Sequence, residues 1–395
     1  MSSCVLFPYN GLHSENAIGN GALSFVYGVT SRIAFKSVIR VSNPGELRIQ
    51  DMEDSTAAIA AESVFYDLLE HNPHPHIMHR VLKVEHGVFL HRMSGDLFDR
   101  INAGSITEQQ GIVWIQQLAS GLAWIEQLGW VHGDLHPCNV FLDAADNIQL
   151  GDFDATVKIG EETRGGAEPW CRLLENCESP VASPATEQFA LGACIYFIRF
   201  GRPPLAHIED RMTLHMMLFR RELDCTDEDA LFGQLITDCW NAKFPSIASV
   251  SEQIKKLLVA ADLPLYEVKP QACGDPAYRA ALLEETKTWI AENGPSRDWV
   301  DDISQLVRES TRIPIKDEAQ ISAIELDKTL EGSSTDLAPQ VYDSQPDHVM
   351  DAKTPVTAAS VLNYTVPAWM FCSVLICAGA LMAYVSSRSR LPARA

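Results

Sequence analysis

Residues 131–155 read VHGDLHPCNVFLDAADNIQLGDFDA, and the order of their polar groups decides how the rest of the chain is read. Asp134 is followed five residues later by Asn139, in a loop that contains Pro137; two short apolar runs come next, and then Asp152. Any one of these residues is an ordinary turn former. Together, a carboxylate, an amide and a second carboxylate converging on one loop are hard-oxygen ligands suited to Mg2+. One acid is then left over to orient a hydroxyl.

Upstream of this stretch, residues 12 to about 92 read as short β-rich runs: Phe25–Val29, Ile33–Ile39, Val81–Val84 and Val88–Leu90. A helix is predicted over Glu53–Glu70, with Ile59, Val64, Phe65, Leu68 and Leu69 on its apolar face. The Pro-rich HNPHPHI stops it. Downstream the pattern turns helical. Thr107 opens a capped run that ends at Gly129, and further helices are predicted at Thr186–Phe200, Asp227–Trp240 and Ser249–Ala260. A small strand-rich lobe followed by a larger helical one is therefore expected, an α+β architecture.

Residues 131–155 resemble the catalytic loop and metal-binding motif of the protein kinase superfamily, HRDLxxxN followed by DFG. The resemblance covers about residues 10–262 and implies a bilobal kinase-like domain there. By position, Asp134 is similar to the catalytic base, Asn139 and Asp152 to the Mg2+ ligands, and His136 to the lysine that neutralises the transferred phosphoryl group. IGNGALSFVYG resembles the glycine-rich loop, with Gly19 and Gly21 in place, Ser24 for the third glycine, and Val26 where adenine packs. IAFK then supplies Ala34 and Lys36, the latter similar to the lysine that pairs the α- and β-phosphates. Glu62 resembles that lysine's partner, although Glu53 is also available. GVFLHRMSGD resembles the hinge strand, with Leu90 as gatekeeper and Met93 as the residue whose backbone holds adenine. TEQFALGACIYFIRFGRPP resembles the central helix of the large lobe, with Glu187 where Asp is usual; ITDCWNAKFPS resembles a later helix end. These two segments point to protein kinases rather than small-molecule kinases. GDFDATVKIGEE and EQFALGACIY are also similar to a divergent kinase family of filamentous fungi.

Four departures bear on function. Gly133 replaces the arginine of HRD, which removes the pocket for a phosphorylated activation loop, so phosphorylation at Thr156 or Thr163 is not expected to be the switch. His136 replaces a lysine, and a neutral imidazole supplies one hydrogen bond without full charge. DFG reads DFD, so Asp154 stands where glycine's freedom to take φ > 0 is usual. No APE motif is present: GAEPW has its letters in another order, and the arginine partner is missing near PSIAS. The resemblance implies an ATP- and Mg2+-dependent protein kinase, of serine/threonine type, with an unknown protein substrate. The departures keep a binding or scaffold pseudokinase as the alternative.

Composition agrees with this. The 395 residues carry 31 basic and 52 acidic side chains, a net charge of −21, which argues against nucleic acid as a partner. Ten cysteines form no CxxC pair, and the N-terminus has no signal-peptide pattern, so a reducing, cytosolic setting is expected. After the domain, residues 263–311 are read as a helical extension and 312–365 as an acidic flexible linker. Val366–Val385 carries no charge, is roughly 30 Å long as a helix, and has Trp369 and Tyr384 near its ends. A single-pass C-terminal transmembrane anchor is expected there, with the kinase-like domain in the cytosol, on the mitochondrial outer membrane or the endoplasmic reticulum.

Overall fold

The β-branched and aromatic residues of the first hundred positions pair into an antiparallel sheet. The computed structural model describes residues 4–306 apart from 105, 175–179 and 268–274. Its strands β1 (Ala17–Asn20), β2 (Phe25–Gly28), β3 (Ile33–Ser37), β4 (Arg80–Val84) and β5 (Gly87–His91) lie in the order β1-β2-β3-β5-β4. Every residue of the central β3 is buried, which is why it reads as an apolar run interrupted by one lysine. Helix α1 (Glu46–His71) packs beside this sheet. It begins earlier than its sequence signals suggest, because Gly45 caps it with no side chain and leaves no polar cap to read. Ile59, Phe65 and Leu69 are buried as expected, but Val64 is 57% exposed and lies off the apolar face.

A short strand β6 (Gly95–Asp96) leads into the large lobe, made of α2 (Leu97–Asn102), α3 (Glu108–Gln127), β7 (Trp130–Val131), β8 (Val140–Leu142), β9 (Ile148–Leu150), β10 (Val157–Lys158), α4 (Pro184–Phe200), α5 (Arg211–Arg220), α6 (Gly233–Trp240) and α7 (Ile247–Ala260). Thr107 caps α3 by accepting the Gln110 N–H at 3.1 Å. Gly201, at φ 66°, ends α4 in the left-handed conformation that favours glycine. Helix α6 starts later than expected, because Asp229 Oδ1 accepts the N–H groups of Leu231 and Phe232 and holds a turn there. Helix α5 was not foreseen; its clearest signal is Asp210, which accepts the Thr213 N–H. Helix α4 is buried on nearly every side, among α3, α6 and α7. The bilobal α+β arrangement is the expected one.

Helix α8 (Pro276–Asn293) returns to the small lobe. Leu282, 2% exposed, joins Tyr9, Tyr27, Phe35 and Phe89 in one core, with Trp289 packed against it. Tyr278 Oη lies 3.0 Å from His91 Nε2, and Glu285 pairs with Arg32 and Thr30 of the β2–β3 turn. The N-terminal segment is tied to the same helix, since Asn10 Nδ2 donates to Asn293 O at 2.9 Å. Among the described residues of the extension expected over 263–311, Pro276–Asn293 is helical, and it packs on the small lobe's sheet. The linker expected over 312–365 and the span expected over Val366–Val385 lie outside the described residues. Among the described residues no helix is long and apolar enough to cross a membrane.

This packing sets a stability expectation. Leu282→Ala leaves a cavity in the small-lobe core and should cost about 2–5 kcal/mol, read as a lowered denaturant midpoint of the full chain. An unchanged midpoint would show that α8 contributes nothing to that core.

Candidate active site

Lys36 sits in mid-β3, 3% exposed, with Val26 and Val88 as its cross-strand neighbours. A buried ammonium needs compensation, and three carboxylates supply it. Glu62 of α1, fully buried, approaches Lys36 Nζ at 2.8 Å; Asp152 does so at 2.5 Å and Asp154 at 3.6 Å. Glu53, on the same helix, is exposed, which settles the choice between the two glutamates. Burial alone would push the lysine's proton off, but the charges of Asp152, Glu62 and Asp154 reverse that and hold it well above its ordinary value. Burial raises Glu62 against the opposing pull of Lys36, whereas at Asp152 the lysine's charge outweighs burial and lowers the carboxyl. Asp154 is raised to about 8 by burial and by the neighbouring Asp152 charge.

Phe153, between those two aspartates, is fully buried against Phe65 and Tyr66 of α1 and against His132, with ring centroids 5.0, 5.4 and 5.5 Å apart. Its N–H donates to Glu62 Oε1 at 3.1 Å. One glutamate therefore fixes both the lysine and the loop. Within DFD the left-handed residue is Asp152, at φ 62°, while Asp154 stays outside that region. Replacing the usual glycine therefore carries no strain of that kind.

The loop around Asp134 hangs from α4. Glu187 Oε2 accepts the His132 N–H at 2.9 Å and Oε1 the Gly133 N–H at 3.3 Å. Gly133 has φ 82°, and a Cβ there would fall 2.4 Å from Ala155 O. The missing arginine is thus excluded by backbone approach, not merely absent. Asn139 Nδ2 donates to Asp134 O at 2.9 Å, which turns its own Oδ1 away from that bond. Asp134 Oδ2 lies 3.6 Å from His136 Nε2, and Oδ1 accepts the Ala167 N–H at 3.0 Å. Burial raises the Asp134 carboxyl, but the His136 charge and hydrogen bond prevail and hold it below its usual value.

Beside this loop, Thr156 is buried and donates to His132 O at 3.1 Å, so its hydroxyl is a structural tie. Glu168 of GAEPW has partners that sequence alone did not reveal: His215 Nε2 at 2.5 Å and Arg211 Nε at 3.7 Å, both on α5.

Asp134, His136, Asn139, Asp152 and Asp154 line one cleft of about 660 Å³, together with Gly21 and Ser24 among others. A Cβ on Gly21 would meet nothing nearer than 3.5 Å, so the protein's own packing does not require that glycine. Ala34 stands opposite Leu90 in the sheet, and both are buried. Arg92 N–H and Ser94 N–H are bonded to Arg32 O and Leu142 O. Among the described residues nothing bonds the intervening Met93 N–H. Gly19 lies on β1 opposite Val26 and does not line the cleft. Cys138, Arg164 and Arg211 also line it, without any motif to announce them. Among the described residues, one trio of potential metal ligands is closely spaced: Glu85, His86 and Asp301. It lies where the β4–β5 turn meets the C-terminal segment; His86 Nδ1 is 3.0 Å from Asp301 Oδ1, and Trp299 Nε1 donates to the same oxygen.

Comparison with known proteins places these observations. The protein kinase domain family matches residues 12–261. A probable myosin light chain kinase of Dictyostelium discoideum is 29% identical over 209 residues, covering 49% of this chain and 63% of its own length. The maternal embryonic leucine zipper kinase of Xenopus tropicalis is 24% identical over 233 residues, 54% of this chain and 33% of its own. The human testis-specific serine/threonine-protein kinase 4 is 24% identical over 207 residues, 51% and 59%. The chain thus spans between a third and two thirds of these relatives.

The Glu187 anchor makes stability depend on pH. Burial raises its carboxyl from 4.5 to about 7, against the two backbone N–H groups that favour the charged form. An acid raised on folding contributes stability that is complete below the unfolded value and is lost as pH climbs through the folded one. Relative to Glu187→Gln, the chain should therefore lose unfolding free energy between about pH 4.5 and 7. Parallel pH profiles for the two proteins would contradict this.

Proposed function

The chain belongs to the protein kinase family, and on that premise we propose that it transfers the γ-phosphoryl group of ATP, with Mg2+, to a serine or threonine hydroxyl of a protein. The observation that carries the proposal is the buried Lys36–Glu62 pair at 2.8 Å, joined through Lys36 to Asp152, which lines one cleft with Asp134 and Asn139. The serine/threonine assignment is supported by the name of one relative.

The residues divide the work. Val26, Ala34 and Leu90 are read as the apolar surface for adenine, and the Met93 N–H as the donor to its edge. Lys36, held by Glu62, is the cation for the α- and β-phosphates. Asn139 Oδ1 and the Asp152 carboxylate are hard-oxygen donors of the kind Mg2+ takes, so the residues present fit that ion. Bound there, Mg2+ would supply positive charge against the phosphates. Asp134, kept ionised by His136, accepts the proton of the attacking hydroxyl; the hydroxyl oxygen forms the new P–O bond and ADP leaves with the electrons of the old one. His136 carries a charge only when protonated, where a lysine would carry one throughout, so turnover is expected to be slower than a lysine would allow.

The Ala167 N–H on Asp134 Oδ1 favours a second reading, because it occupies one oxygen of the base: a nucleotide-binding scaffold without turnover. Incubation of the full chain with γ-labelled ATP and a generic protein substrate separates the two. Label on serine or threonine, lost in Asp152→Asn and lowered roughly 10²–10⁴-fold in Asp134→Asn, is the expected result. Nucleotide binding with no label above the Asp152→Asn background would establish the scaffold.

Val366–Val385 is further proposed to anchor the chain in a membrane, with the kinase domain on the cytosolic side. Its support is the uncharged run and its terminal aromatic residues. A fluorescent fusion to residues 345–395 should decorate an organelle membrane; a diffuse signal would remove the anchor.

A further inference from the structure

Of the three carboxylates around Lys36, two have a second task. Glu62 binds the Phe153 N–H, and Asp152 stands at the position of the metal ligand. Asp154 has no such task. It lies 3.6 Å from Lys36 Nζ, beyond hydrogen-bonding reach, and among the described residues nothing hydrogen-bonds its carboxylate. Its side chain is only 22% exposed, and that exposed part lines the cleft with Asn139 and Asp152. An ionised carboxylate without a hydrogen bond beside two others costs stability that a bound cation would recover.

Charge arithmetic indicates what that ligand is. Lys36 supplies one positive charge to three carboxyl groups, Glu62, Asp152 and Asp154. If Lys36 remains with Glu62, the other two carboxyl groups, once ionised, carry the charge that a divalent cation cancels. The amide beside them is already oriented, since Asn139 Nδ2 is spent on Asp134 O and, among the described residues, nothing bonds its Oδ1. Two carboxylates and a carbonyl oxygen are a donor set for a hard cation, and affinity in such sites rises with the number of charged ligands. With glycine in place of Asp154 the protein would offer one carboxylate and one amide, and the nucleotide phosphates would have to supply the remaining charge.

We propose that Asp154 is a third protein ligand of the divalent cation, and that it allows the cleft to bind that cation before any nucleotide. This rests on the reading of Asn139 and Asp152 as the metal ligands. Lys36 then serves as a placeholder, covering the two aspartates until the cation takes them and the ammonium turns to phosphate.

The test is a Mn2+ titration of the chelator-treated full chain without nucleotide, with free Mn2+ read from its electron paramagnetic resonance signal. A His86→Ala background silences the Glu85–His86–Asp301 trio. The expected result is one saturable site, weakened about ten-fold or more by Asp154→Asn and by Asp154→Gly, with nucleotide-free unfolding midpoints no lower than the background protein. Unchanged affinity in both Asp154 variants, or no saturable site in the background protein, would overturn the proposal. Asp152→Asn separates the two levels. If it weakens binding while the Asp154 variants do not, only the role of Asp154 fails. If it too changes nothing, the metal reading itself fails.

Discussion

One buried ammonium organises this molecule. Lys36 lies in the middle of the most buried strand, where an uncompensated charge would be worth several kcal/mol of instability. Its three carboxylate neighbours arrive from two places, helix α1 and the loop after β9. Satisfying Lys36 therefore forces those elements to meet, and Phe153 fills the gap they leave with an aromatic contact to α1. The small lobe, the helix and the metal-side loop are three parts of one electrostatic solution.

The second support is of the opposite kind. The loop carrying Asp134 is held by an acid, Glu187, that grips two consecutive backbone N–H groups from inside the helical core. A glutamate reaches further than an aspartate, and Gly133 lets the backbone come within a distance that no Cβ permits. Seen this way, Glu187 and Gly133 are two halves of one adjustment, and the loss of the arginine follows from it. Glu168, with its partners on α5, ties down the segment that crosses Asp134.

Much of this was legible in the sequence because the informative residues are chemically unusual where they stand. A lysine inside an apolar strand, or Asp-x4-Asn followed by Asp-Phe-Asp, has few readings. What was not legible depends on distance. The choice of Glu62 over Glu53 needed the face of α1, and the start of α1 was hidden because Gly45 caps it silently. Val64 fits an apolar face by spacing yet points outward. The fate of Asp154 depended on which residue of DFD takes the left-handed backbone. No pattern in PAYRAALLEETKTWIAEN announces that its partner is a sheet more than 180 positions earlier, because both surfaces are simply apolar.

The final described residue, Leu306, packs with Ile39 and Met52, so the chain leaves the folded body beside α1 after its helix α8 has already gripped the sheet. The described end of the chain is thus built into the lobe that holds Lys36 rather than the one that holds Asp134.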